Sequence, residues 1–167
     1  MSTDAHLEES ENSRKVLIPL DGSSHSVRAM NWYFDELKRE NDQLIFVNVL
    51  EPVQHSVPLR LPIDSRYAFA HHDIHVSEEL LEGAKQICRD AMHEATKHGV
   101  KAQSFLYVNA KPGAAVIQAA NELKASVIVM GNRGMGVIRR TILGSVSNYV
   151  LHHSHITLVI VPPPSDN

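Results

Sequence analysis

The residues best suited to chemistry lie together in one segment, which reads Met130-Gly131-Asn132-Arg133-Gly134-Met135-Gly136-Val137-Ile138-Arg139-Arg140-Thr141-Ile142-Leu143-Gly144-Ser145-Val146-Ser147. Gly131 and Gly134 have no side chain to hold a ligand away, so the backbone can come close and turn its amides inward. Gly144 and Ser145 stand where a helix would open, and the free amides and dipole of a helix N-terminus favour an anion. Arg133, Arg139 and Arg140 add cationic donors, and the Ser145 and Ser147 hydroxyls add neutral ones. Together these make a phosphate cradle. It is not a P-loop, since no Gly-Lys-Ser or Gly-Lys-Thr follows, and Gly134-Met-Gly136 lacks the third glycine of a dinucleotide fingerprint because Arg139 stands there. Isolated glycines after a strand ordinarily just turn the chain into a helix. Here four glycines, a serine and a strand-to-helix context coincide, and the cradle is the better reading.

The elements that must hold this segment follow from periodicity. Five short apolar runs, Lys15 to Leu20, Gln43 to Leu50, Lys101 to Val108, Ala125 to Met130 and Ile156 to Val161, are rich in Val and Ile and read as strands. Between them lie helical patterns. Val27, Met30, Phe34 and Leu37 follow Ser23 and Ser24, either of which can cap the first turn. From Ser77 onward, Leu80, Leu81, Ala84, Ile87, Cys88, Ala91 and Ala95 form one apolar face. A third helix begins near Pro112 and buries Val116, Ile117, Ala120 and Leu123, and a fourth runs from about Gly144 to His153. Strand and helix in alternation imply parallel strands joined by right-handed crossovers, a doubly wound α/β sheet with helices on both faces. At this level flavodoxin-like and Rossmann-like orders are both open. The segment from Glu51 to Val76 breaks the pattern. It contains Pro52, Pro58 and Pro62 without clear periodicity and reads as a lid or a mobile loop. A polar tail, residues 1–14, precedes the domain of residues 15–161, and a Pro-rich tail, residues 162–167, follows it.

The spacing Gly131, Gly134, Gly144, Ser145 resembles the Gly-x2-Gly-x9-Gly-Ser/Thr motif of the universal stress protein family. Lys15-Val-Leu-Ile-Pro-Leu-Asp-Gly-Ser23 is similar to the family's first strand and acidic turn, and Ser126 to Gly131 to its fourth strand. The likeness runs from Lys15 to Val161. It implies one Rossmann-like domain of the adenine nucleotide alpha hydrolase type, with a five-stranded parallel sheet in order 3-2-1-4-5 and about four helices. It further implies that Asp21 contacts the adenosine part of ATP, AMP or ADP, with Pro19 and Val49 beside the base and Met130 as the floor. Gly131, Arg133, Gly134, Gly144, Ser145 and Ser147 would hold the phosphates, with Val146 among the contacting positions and Mg2+ accompanying the nucleotide. A carboxylate after a strand can accept hydrogen bonds from ribose hydroxyls, although from position alone Asp21 is equally a turn or cap residue. Ser126 stands where the family often has aspartate, and Thr157 where proline often opens the last strand. The strand Ile156 to Val161 would lie at a sheet edge, where unpaired backbone invites another chain; the resemblance implies a homodimer through it.

Composition bounds the rest. With 167 residues, 43% of them hydrophobic and 21% charged, the chain has the size and make-up of one soluble domain. A net charge of -3, with 16 scattered basic residues, gives no electrostatic reason to propose nucleic acid or a membrane surface as partner. The polar start lacks the apolar core of a signal peptide, so a cytoplasmic location is expected. Cys88 falls on the apolar face of the second helix and reads as a buried structural thiol. His71, His72 and His75, and again His152, His153 and His155, read as exposed polar positions more readily than as metal sites. The expected function is that of an ATP-binding stress-response or signalling module with at most slow hydrolysis, because the cradle shows no general base and no second acidic residue for metal. The alternatives are an ATP-using enzyme, hydrolysing ATP or transferring an adenylyl group, and a homodimeric scaffold without nucleotide. Against adenylyl transfer, Asp21-Gly22-Ser23-Ser24 lacks the glycine-rich loop expected after the first strand.

Overall fold

Val, Ile and Leu fill the strand segments, and a computed structural model of the protein, which describes residues 13–52, 59–63, 76–132 and 143–164, pairs them into one sheet. The strands are β1 (Lys15–Pro19), β2 (Gln43–Leu50), β3 (Leu59–Pro62), β4 (Lys101–Val108), β5 (Val127–Gly131) and β6 (Thr157–Val161), in the order β3-β4-β2-β1-β5-β6. Counted among themselves, the five parallel strands stand in the expected order 3-2-1-4-5. The sheet has one strand more than expected. β3 runs antiparallel along β4, from Leu59 opposite Val108 to Pro62 opposite Phe105. Part of the segment read as a lid or loop is therefore an edge strand. A proline is tolerated there because only one side of an edge strand needs to bond. Residues 53–58 and 64–75 of that segment lie outside the described residues.

Strand alternation sorts the core into two layers. Val16, Ile18, Leu44, Phe46 and Val129 face α1 (Ser24–Trp32), the π-helical turn Tyr33–Leu37 that continues it, and Ala91 and Ala95 of α2 (Glu78–Lys97). Leu17, Ile45, Val47, Ile128 and Met130 face α3 (Pro112–Glu122) and Val150 of α4 (Ser145–His153). Each of these large side chains contributes about 1.5–3 kcal/mol by leaving water. The helices start as their sequences dictate: the hydroxyls of Ser23 and Ser77 each accept a first-turn amide at 3.2 Å, from Ser26 and Leu80, and Pro112 opens α3. Two residues assigned to apolar helix faces are exposed. Val27 is 43% and Leu80 51% accessible, because the buried stripes run through Ser26, Ala29 and Met30 in α1 and through Leu81, Ala84 and Cys88 in α2. Cys88 is fully buried, and burial pushes its thiol up, keeping it neutral.

At the opposite end of the sheet from the cradle, Asp42 organises the chain entering β1 and β2. Its carboxylate accepts Arg14 Nε at 2.8 Å and Nη2 at 2.6 Å, the Tyr33 hydroxyl at 2.8 Å and the Arg39 amide at 2.9 Å. Burial alone would raise its pKa. The bonds from Arg14, Arg39 and Tyr33 outweigh that and hold it below the usual carboxylate range.

Candidate functional site

All five parallel strands end at the same edge of the sheet, and β1 and β5 lie side by side where the strand order reverses. In open α/β sheets that is where a crevice forms. Pro19 closes β1 opposite Val47, and Met130 and Gly131 close β5. By alternation Pro19, Val49 and Met130 share the face of Leu17, Val47 and Ile128, the side covered by α3 and α4. Leu17 and Val47 are fully buried, whereas Pro19 and Val49 at the strand ends are half-buried. At these strand ends the half-buried Pro19 and Val49 thus share one apolar face with Met130, which is 5% exposed.

Asp21 follows β1 in a tight turn. Its Oδ1 accepts the Ser23 amide at 3.0 Å and the Ser23 hydroxyl at 2.6 Å, while Gly22 takes a φ of 77°. Ser23 Oγ in turn caps α1. The turn role is thus filled by one oxygen, and Oδ2 has no hydrogen bond among the described residues. The same carboxylate can serve the turn and still accept a donor from a ligand.

The two ends of the glycine-rich segment are stitched together. A Cβ on Gly131 would stand 2.6 Å from the His25 carbonyl oxygen, so only glycine allows β5 to approach α1 this closely. Asn132 donates its amide to Val161 O at 3.1 Å and accepts the Gly144 amide at 2.6 Å. Buried Ser147 donates its hydroxyl to Gly131 O at 2.9 Å. Gly144 is the extended N-cap of α4 and among the described residues no side chain caps that helix, in contrast to α1 and α2. The first-turn amides of Ser145, Val146 and Ser147 consequently have no partner among the described residues. Open amides at a helix N-terminus are suited to an anion. Arg133 and Gly134 lie outside the described residues, as do Gly136, Arg139 and Arg140.

Sequence reasoning missed Arg28. From α1 its Nη2 donates to Asn132 Oδ1 at 3.2 Å and lies 2.8 Å from His25 Nδ1, while its Nε is buried without a partner among the described residues. Arg28 and Asn132 are 104 positions apart, and a lone arginine on a helix reads as a solvated one, so no local signal marks the pair. His152, His153 and His155 are exposed; the His153 ring stacks on Tyr149 at 4.0 Å and its Nδ1 lies 2.8 Å from Tyr149 O. His71, His72 and His75 lie outside the described residues.

Ser147→Ala tests the stitch. Removing the hydroxyl leaves a buried carbonyl of β5 with one donor fewer, and urea unfolding should show a loss of about 1–2 kcal/mol. An unchanged midpoint would mean that the bond does not join the two ends.

The universal stress protein family matches residues 12–162 of the chain. A putative universal stress protein of Staphylococcus epidermidis, SERP1273, is 30% identical over 149 residues, spanning 89% of this chain and 83% of the relative. Among solved structures, hypothetical protein MJ0577 aligns with a TM-score of 0.73 at 21% identity, over 92% of this chain and 98% of its own. A universal stress protein solved in complex with cAMP aligns at a TM-score of 0.62 and 26% identity, covering 89% of this chain and 96% of its own. With its strand order, its glycine spacing and a match over nearly its full length, the chain belongs to the universal stress protein family.

Proposed function

We propose that the protein binds an adenine nucleotide, ATP with Mg2+ foremost, and acts as a nucleotide-dependent module of stress response or signalling in the cytoplasm. The observation that carries this reading is the uncapped N-terminus of α4, whose open amides are held beside the end of β5 by the Gly144–Asn132 and Ser147–Gly131 bonds. The likeness to a family member in complex with cAMP supports an adenine nucleotide as the class of ligand. In this reading the base lies against Pro19 and Val49 over Met130, and Asp21 accepts from the ribose. Gly131, Gly144, Ser145, Val146 and Ser147 meet the phosphates, joined by Arg133 and Gly134. Arg28 adds positive charge behind Asn132. Mg2+ would neutralise the phosphates, and the residues present fit it only loosely. Asp21 is the carboxylate at hand, so the ion would be held mainly by the phosphates and water.

Hydrolysis should be slow, because the residues assigned to the cradle include no general base and no second acidic residue for a metal. Self-association would run through β6, the edge strand beside β5.

Calorimetric titration with ATP and Mg2+, run beside Gly144→Val, tests the proposal. Valine tolerates the backbone found at Gly144, with φ -72° and ψ 161°, so the variant should fold. Its methyl groups crowd the α4 amides. The expected result is saturable binding by the parent and affinity weakened about tenfold or more in the variant, about 1.4 kcal/mol or more. No binding by folded, nucleotide-free parent protein would overturn the reading and leave the scaffold; rapid phosphate release would instead make the protein an ATP-using enzyme.

A further inference from the structure

A second cavity, of about 450 Å3, opens at the N-terminal ends of the strands, at the far end of the sheet from the cradle. Its chemistry comes from a row of first-strand residues. Lys15, Gln43 and Lys101 open β1, β2 and β4 and stand opposite one another in register. Gln103, two residues beyond Lys101, shares its face. α3 ends at Glu122, short of this row, and so leaves it uncovered, with Glu122 and Lys124 at the rim.

Among the described lining residues the balance of charge is three lysines to one carboxylate. That carboxylate is already engaged: Glu122 accepts the Tyr107 hydroxyl at 2.9 Å and the Gln118 amide at 2.8 Å. Lys15, Lys101 and Lys124 pair with no carboxylate among the described residues. Lys124 is also the only described non-glycine residue with a positive φ, 57°, a backbone that glycine or asparagine adopts with less strain. A lysine at that strained position adds a third cation to the rim. Lys15 and Lys101 are separated by the β2 strand, about 10 Å apart at the backbone from the usual strand spacing. A ligand able to answer both must carry more than one negative group.

We propose that this cavity is a binding site for a compact small molecule bearing two or more anionic groups, carboxylate or phosphate, gripped by Lys15, Lys101 and Lys124 with neutral donation from Gln43 and Gln103. Its volume is that of an ordinary small-ligand pocket. It shares no residue with the nucleotide cradle, and the two proposals stand or fall separately.

Titration of the full chain with citrate and, separately, inorganic pyrophosphate, followed through backbone amide resonances at physiological salt, provides the test. Surface attraction without a site is largely screened beyond about 8 Å under those conditions. Saturable shifts are expected at Gln43, Lys101 and Gln103, with a Kd of about 1 mM or tighter for at least one probe. The responding probe tells a carboxylate ligand from a phosphorylated one. Lys101→Gln should weaken binding about tenfold. Lys124→Gly should weaken it similarly while melting no lower than the parent, since glycine relieves the backbone, and this separates a binding role from a structural one. The proposal is overturned if neither probe saturates these amides, if both variants bind as tightly as the parent, or if the shifts appear only at Gly131 and Ser145, where pyrophosphate would occupy the cradle.

Discussion

Gly131→Ala should lower stability by about 2–3 kcal/mol and abolish tight nucleotide binding together, although it adds a single methyl group. The added carbon would meet backbone, the His25 carbonyl oxygen at 2.6 Å and the carbonyl carbon at 2.8 Å, and backbone cannot swing aside as the tip of a long side chain can. Either β5 or the first turn of α1 must move. Both movements reach the cradle, because α1 carries Arg28 onto Asn132, and Gly131 O anchors Ser147. For a chain of this size the loss corresponds to a fall in melting temperature of about 5–10 °C. Thermal unfolding and ATP titration on the same preparation check it. A variant that melts with the parent would show that the close approach to His25 does not constrain β5.

Asp42→Ala should cost about 3 kcal/mol with nucleotide affinity unchanged, since Asp42 lies at the other end of the sheet. The substitution removes a carboxylate that is 4% exposed and strips a bidentate partner from Arg14, the acceptor from the Tyr33 hydroxyl and the cap from the Arg39 amide. Breaking a buried pair on one side costs about 3–5 kcal/mol. The lower end applies because the Arg14 side chain keeps 16% of its surface in water and can partly rehydrate. Asp42→Asn, which keeps an acceptor for Tyr33, should recover part of the loss. The pH dependence has a definite sign. The folded pKa of Asp42 is depressed, so its contribution is present above the ordinary carboxylate value of about 4 and fades as pH falls through the lower folded value. Parent and alanine variant should therefore converge in stability under acid. Tyr33 shapes the alkaline limb. Burial and then its bond to Asp42 raise its pKa, so its contribution is intact below about pH 10 and is lost only above that. A constant gap between parent and variant from neutral pH down to about pH 2 would contradict this account.

What the sequence revealed depended on how local its cause was. β2 and β4 are each eight residues long, and the dense apolar run Leu44 to Leu50 in β2 and the run Phe105 to Val108 that closes β4 made both strands legible. Ser23, Ser77 and Pro112 marked helix starts because capping is settled within a few residues. β3 escaped because four residues ending in proline carry no period, and its pairing with β4 is decided more than forty positions away. The π-helical turn at Tyr33–Leu37 escaped for a different reason: the spacing of Met30, Phe34 and Leu37 suits an ordinary helix equally well. In the candidate site, glycine and serine spacing drew attention to a segment whose two described ends, Gly131 and Gly144 to Ser147, lie together, while Arg28 and Asn132 meet only once β5 and α1 have been packed together.

The antiparallel strand β3 gives the sheet two unlike margins. One is a four-residue strip that ends in a proline unable to donate; the other is β6, whose outer backbone belongs to an all-apolar run after Thr157. In the dimer proposed above, assembly would therefore have a valence of one. Two copies joined about a twofold axis through β6 would each use up the longer apolar margin found among the described residues, leaving a third copy only the short β3 strip. Growth of that kind closes at a pair, so rising concentration should complete dimers without lengthening them into fibres.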